Sequence, residues 1–273
     1  MPLLDVRRLS VTYAHRGERI LAVDQVDLAI EPGEIVALVG ESGSGKSSVA
    51  LALSRLLPEP PATVQADHVT FEGTNLLGAP EAVLRRIRGG RIAYVFQDPA
   101  TSLNPVLTIG AQLREMIEWH TGRHGREADA VAIEWLSRVG IPSAKERIGA
   151  YPHEFSGGMQ QRVMIAMAMA ADPALLVADE PTTALDVTVQ VQILRLLRDL
   201  QRRARLSMLL ISHDLMVVER LAHRVGIMWR GRVVEMGPVP EVFGRPSHPY
   251  TRELLGYRST MTLRRGPRRG IDG

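Results

Sequence analysis

Alternation governs the first stretch of the chain. Leu4, Val6 and Leu9 give way to Val11 and Tyr13, a polar turn runs through His15-Arg16-Gly17-Glu18, and Leu21, Val23, Val26, Leu28 and Ile30 resume the pattern. A period of two on either side of a polar turn predicts an antiparallel strand pair. Glu31-Pro32-Gly33-Glu34 reads as a turn, and the wholly apolar Ile35-Val36-Ala37-Leu38-Val39 as a buried strand. A helix from Ser48 to about Leu57 is stopped by Pro58-Glu59-Pro60-Pro61. Val69-Thr70-Phe71-Glu72-Gly73 predicts a strand and turn, Ala82 to Ile87 a short helix, and Arg91 to Phe96 another strand.

Between Pro99 and Phe155 the period changes. Apolar residues at 109, 113 and 117, then at 131, 133, 136 and 139, follow helical spacing across a polar linker, His120-Thr121-Gly122-Arg123-His124-Gly125. This predicts an inserted helical segment whose two histidines, lying in a linker without partner ligands, make no metal site. Past Phe155 helices and strands alternate. Helices are expected over Gly158–Ala170, Val187–Arg203 and Leu215–Leu221, strands over Ala174–Ala178, Leu206–Ile211 and Val225–Trp229, with a hairpin at Gly231. Met159, Met164, Met167 and Met169 read as core filling, not as a soft-metal site. The rhythm predicts an α/β fold built on a mostly parallel sheet, with an antiparallel N-terminal piece and a helical insert.

Composition narrows the setting. No apolar run approaches the roughly 18 residues of a membrane span; the longest, Val163 to Ala178, is broken by Asp172-Pro173. Met1-Pro2-Leu3-Leu4-Asp5 lacks the charged-then-apolar pattern of a leader, which points to a cytosolic protein. The absence of cysteine excludes disulfides, thiolate zinc sites and cysteine-ligated clusters. The net charge of +3 comes from arginine, because lysine occurs only at 46 and 145. The run Arg264-Arg265-Gly266-Pro267-Arg268-Arg269 is locally basic and reads as a solvated terminus or as a contact for an anionic membrane surface.

Candidate chemistry begins at Gly40-Glu41-Ser42-Gly43-Ser44-Gly45-Lys46-Ser47, between the buried strand and the helix that includes Ser48. Strand, glycine-rich loop and helix start are the context of a phosphate-binding loop: backbone N–H groups turn inward and the helix dipole adds positive potential. Lys46 would reach the outer phosphates, and the Ser47 hydroxyl would ligate Mg²⁺. Leu175-Leu176-Val177-Ala178-Asp179-Glu180 would deliver two carboxylates at the ligand-binding edge of such a sheet. Asp179 would hold Mg²⁺ through water, and Glu180 would orient or deprotonate an attacking water. Ser156-Gly157-Gly158 opens a second anion-ready helix start, with Ser156 as a plain N-cap or as part of a site for a nucleotide held by another subunit.

The order of phosphate loop, Gln97, Ser156-Gly157-Gly158, Asp179-Glu180, Thr183-Ala184-Leu185-Asp186 and His213 resembles the ATP-binding subunit of ABC transporters, over Leu4 to Arg230. The resemblance implies a P-loop NTPase with a RecA-like core, an antiparallel β-subdomain and a helical subdomain at about 99–155. It implies an ATPase domain over residues 1–256 and a short basic tail over 257–273. By position, Tyr13 matches the aromatic that stacks on adenine, here as an exposed loop residue. Gln97 matches the glutamine that touches Mg²⁺ and links to the helical subdomain, His213 the histidine on the γ-phosphate, and Asp186 the residue that communicates across a dimer.

Asn104-Pro105, Tyr151-Pro152-His153-Glu154-Phe155 and Ser247-His248-Pro249-Tyr250-Thr251 look like the dipeptide and oligopeptide importer branch, which nickel and metal-chelate importers share. Two permease subunits, a second related ATPase or a second copy, and an extracytoplasmic solute-binding protein are the implied partners. The implied place is peripheral, at the cytoplasmic face of the membrane. ATP and Mg²⁺ are the implied ligands. Many relatives carry a cysteine-ligated iron–sulfur cluster, which this cysteine-free chain is not expected to have. An exporter ATPase of the same fold is a further alternative. A soluble ATPase of this family acting on DNA or ribosomes needs a long coiled coil or two ATPase units; neither is present, so no nucleic-acid partner is expected.

Overall fold

The computed structural model describes residues 1–15, 17–183 and 185–264; the basic run from Arg265 onward lies outside them. β1 (Leu4–His15) and β2 (Glu18–Ile30) pair antiparallel, Leu4 opposite Ile30 and His15 opposite Glu18. Alternation buries Leu4, Val6, Leu9 and Val11 against Val23, Val26, Leu28 and Ile30. After β3 (Ile35–Val39) and α1 (Lys46–Leu53), the strands β4 (Ala62–Gln65) and β5 (His68–Phe71) pair with the other edge of β1, and β6 (Thr74–Asn75) closes on β5. α1 runs shorter than its apolar pattern predicts. The Arg88 guanidinium takes its terminal carbonyls, donating to Ser54 O at 2.7 Å and Arg55 O at 2.9 Å, and the chain turns at Arg55 with φ of +51°.

α2 (Glu81–Ile87) and β7 (Ile92–Val95) lead into a helical stretch: α3 (Pro99–Ser102), α4 (Ile109–Thr121), α5 (Arg126–Arg138) and α6 (Ala144–Arg147). Ile109, Leu113 and Ile117 on α4 meet Ala128, Ala132 and Leu136 on α5, all fully buried. His120 is not in a linker. It lies in the last turn of α4 beside Gly89 and Gly90, where burial lowers its pKa.

The rest alternates: α7 (Gly157–Met169), β8 (Leu175–Asp179), α8 (Val187–Ala204), β9 (Ser207–Ser212), α9 (Leu215–Leu221), β10 (Arg224–Trp229), β11 (Arg232–Pro238), α10 (Val239–Gly244) and α11 (Pro249–Arg264). Six strands form the second sheet in the order β11-β10-β3-β9-β8-β7, parallel except for β11. Its inner strands β3, β8 and β9 are buried on both faces. Ile35, Ala37 and Val39 face the core shared with α7 and α8, while Val36 and Leu38 face the core shared with α1 and the antiparallel sheet. Met164 and Met169 are buried in the first of these cores, as filling.

α7 and α8 start side by side, held by a close approach at Gly158. A Cβ on Gly158 would lie 2.6 Å from Val189 Cγ1, and a β-branched side chain has little freedom to move away. Arg162 adds a bond from α7 to Gln192 on α8 at 2.9 Å. Gly158→Ala is therefore expected to destabilise by about 1–3 kcal/mol and to lower the thermal midpoint by several degrees. Adding Val189→Ala should recover part of the loss, read by scanning calorimetry on both variants.

Candidate functional site

The parallel order sends the C-terminal ends of β3, β7, β8 and β9 to one edge, where open α/β sheets bind ligands. β3 lies in the middle of that order and feeds Gly40–Ser47. Gly45, at φ of +102°, caps α1 without a side-chain hydrogen bond, so no side chain competes for the first N–H groups of the helix. Lys46, only 5% exposed, folds back into the loop. Its Nζ donates to Glu41 O at 2.7 Å, Gly40 O at 2.9 Å and Ser44 Oγ at 3.3 Å. Burial lowers the pKa of this ammonium, while the charges of Glu180, Asp179 and Glu41 pull the other way.

Those carboxylates come from the end of β8. Asp179 is hydrogen-bonded to Ser47, and its Oδ1 is buried without a hydrogen-bond partner. Burial raises its pKa and Glu180 adds to the rise, against Ser47 and Lys46. Glu180 stands just past the strand at φ of +46°, its N–H bonded to Ile211 O at 2.9 Å. A non-glycine residue there is strained, which fixes the direction of its side chain. Oε1 lies 3.1 Å from His213 Nδ1, beyond the end of β9, and Oε2 accepts from Thr183 Oγ1 at 2.8 Å. Burial alone would raise the Glu180 carboxyl, but the bonds from His213 and Thr183 and the charge of Lys46 prevail and hold it below the usual carboxylate range. His213 is mostly exposed.

Of the other sequence-predicted residues, Ser42 and Gly43 lie in the same loop, and Gln97 is exposed just past the end of β7. Tyr13 is not in an exposed loop: the strand continues through it, it is half-buried and opposite Ile20, and its hydroxyl lies 3.0 Å from Ser48 Oγ. Ser156, Gly157, Gly158 and Asp186 form a separate group. Ser156 caps α7 through Met159 N at 3.4 Å, and Asp186 caps α8 through Val189 N at 3.0 Å. Ser156, Gly157 and Asp186 are exposed, and among the described residues none of their hydrogen bonds reaches the phosphate loop. Thr183 and Tyr250 are contacts for which the sequence reading assigned no role. Thr183 holds Glu180 from a turn three residues on, and Tyr250 Oη accepts the Glu41 N–H at 3.3 Å. Both lie in stretches that the resemblance singles out, but their contacts depend on tertiary placement.

Similarity to known proteins agrees with this arrangement. The sequence family described as ABC transporter matches residues 23–183. A provisionally named peptide import ATP-binding protein of Brucella melitensis is 51% identical over 259 residues, covering 93% of this chain and 77% of its own length. The peptidoglycan transport ATP-binding protein YejF of Agrobacterium fabrum is 52% identical over 254 residues, 93% of this chain and 46% of that one. A dimeric ATP-binding cassette, solved in a post-hydrolysis state bound to ADP and Pi, has a TM-score of 0.77 at 28% identity, over 86% of this chain and 98% of its own. CbiO1 from Clostridium perfringens, part of the ABC transporter complex cbiONQ, shares the fold at a TM-score of 0.74 and 23% identity, over 96% of this chain and 99% of that one. With the family match spanning more than half the chain and half-identical relatives spanning nearly all of it, this chain belongs to the ABC transporter family, as one of its ATP-binding cassettes.

Proposed function

We propose that this chain hydrolyses ATP to ADP and phosphate to power import of di- or oligopeptides. The observation that carries the ATPase reading is the Lys46–Asp179–Glu180–His213 cluster at the edge of the sheet. Lys46 balances charge that builds on the transferred phosphoryl group, and Glu180, already ionised, accepts a proton from or orients the attacking water. His213, 3.1 Å from Glu180, adds a further donor beside it. The site's oxygens fit Mg²⁺, a hard cation: the buried, partnerless Oδ1 of half-buried Asp179 and the Ser47 hydroxyl are the donors, with Gln97 at the same edge. That ion would supply neutralisation of phosphate charge. Tyr13, beside Ser48, is the proposed stacking partner of the base.

Ser156, Gly157 and Asp186 are exposed, and the Ser156 and Asp186 side chains each cap the start of their own helix, α7 and α8, not the loop of the same chain. They are proposed to complete the nucleotide site of a second ATPase, a like copy or a homologue, so that closure on two ATP molecules works as a clamp. No helix among the described residues is long and apolar enough to cross a membrane; the proposed membrane path is formed by two permease subunits. Phe96, next to Gln97 in sequence, and Val106, Leu107 and Trp119 of the helical stretch are exposed apolar side chains, proposed as contacts for the permease subunits at the cytoplasmic face. Peptide cargo is supported by the relatives named for peptide import and peptidoglycan transport.

Affinity purification of the tagged chain from solubilised membranes is expected to bring down two permeases, and the solute-binding protein encoded beside them should bind short peptides. Ribosomes or DNA in place of permeases would sink the transport reading, and a bound nickel chelate would move the cargo. Glu180→Gln should keep ATP affinity within about threefold, slow turnover at least 100-fold and shift the chain toward a dimer in size-exclusion with ATP. Near-normal hydrolysis by that variant would remove Glu180 from its role. Because the folded-state pKa of Glu180 is lowered, its ionised form persists on acidifying below the ordinary carboxylate value of 4.5. Turnover measured from pH 8 down to pH 6 should therefore show no loss through protonation of this group; a loss that Glu180→Gln abolishes would contradict the assignment.

A further inference from the structure

Ser247-His248-Pro249-Tyr250-Thr251 stands far beyond the phosphate loop in sequence, yet the fold brings it there. Glu235 on β11 accepts the N–H of Ser247 at 2.8 Å and of His248 at 3.0 Å, which pins the chain at the start of α11. Burial opposes ionisation of Glu235, but these N–H groups dominate and depress its carboxyl to about 2, so the clamp is charged at neutral pH. In the first turn of α11, Tyr250 turns inward and is 6% exposed. Its ring stacks on Trp229, the last residue of β10, at 5.5 Å between centroids and 25° between planes. The residue before, Met228, presents its carbonyl oxygen so close to Gly40 that a Cβ there would be driven into it.

Tyr250 Oη then accepts from Glu41 N–H at 3.3 Å. The other polar atom of that peptide unit, Gly40 O, accepts from Lys46 Nζ at 2.9 Å. One peptide group is thus held at both ends, by the lysine of the phosphate loop and by a residue of the C-terminal helix. The peptide cannot rotate without giving up both bonds. We propose that Tyr250 is a positioning residue of the nucleotide site: its hydroxyl locks the Gly40–Glu41 peptide and thereby the seat from which Lys46 meets the phosphates. Burial raises the phenol's pKa, so it serves as a neutral hydroxyl throughout the working pH range. The inference rests on the reading that this loop holds ATP. It extends that reading to the C-terminal helix, which lies outside the residues matched to the family.

The test compares the full chain with Tyr250→Phe, Tyr250→Ala and Lys46→Ala, measuring ATP affinity by titration calorimetry, steady-state hydrolysis and the thermal midpoint. Tyr250→Phe keeps the ring on Trp229 and removes only the acceptor. It is expected to weaken ATP binding, and to raise KM, about fivefold, the size of one lost hydrogen bond. Its kcat should stay within about twofold and its midpoint unchanged. Tyr250→Ala should add a lower midpoint. Unchanged affinity in Tyr250→Phe overturns the proposal, and so does a loss of affinity accompanied by a matching loss of stability, since that is packing alone. Lys46→Ala separates the two levels: if it leaves ATP binding and hydrolysis intact, the loop's role is what fails; if it abolishes them while Tyr250→Phe equals the parent, only Tyr250 is excluded.

Discussion

The rest of the site depends on keeping one ammonium group out of water. Lys46 is nearly buried and is held charged by two backbone carbonyls and by carboxylates from another strand. A cation in that position costs desolvation, which partners must offset. Those partners can reach it only because β3 and β8 lie in one parallel sheet, separated by β9 alone, and end at the same edge. The topology is therefore what brings Asp179 and Glu180 to a loop more than a hundred residues earlier in sequence. On the proposed reading, the same desolvation leaves the ammonium's charge little screened for an entering phosphate oxygen.

Local chemistry explains how much of this was legible in the sequence. The phosphate loop, the Asp-Glu pair at a strand end and the alternation of β1 and β2 are short-range patterns with one backbone solution each, and the structure contains all three elements. Tyr13 misled because polar His15-Arg16-Gly17-Glu18 follows it closely, whereas the ladder with β2 runs to His15 opposite Glu18 and keeps Tyr13 in the strand. The end of α1 is decided by Arg88, a side chain from beyond the next strands, which no helix pattern can announce. His120 follows the same rule: its sequence neighbours are polar, but its spatial neighbours are Gly89 and Gly90, which leave room for an imidazole. Tyr250 is the extreme case, because its contact with Glu41 exists only once the β10–β11 hairpin has folded back beside the loop.

The two helix starts, so alike as glycine-rich sequences, differ in how their amides are spent. α1 begins at a glycine with no side-chain cap, leaving its N–H groups for an anion. α7 begins at Ser156, whose hydroxyl already accepts from Met159, and α8 at Asp186, whose carboxylate accepts from Val189. The capped pair is thus a stable, exposed end that a second molecule can meet without first ordering it, whereas the uncapped loop is the end that gains most from a ligand. Close contact of Gly158 with Val189 and the Arg162–Gln192 bond tie the starts of α7 and α8 into one body. Arg162 also reaches back to Val139 O at the end of α5 at 2.5 Å, so the same body extends into the helical stretch. On the proposed reading, force applied at Ser156 by a partner's nucleotide is passed along α7 and through the Arg162–Val139 bond to α5, and motion of the helical unit with it is what would let ATP binding at one surface displace a permease at another.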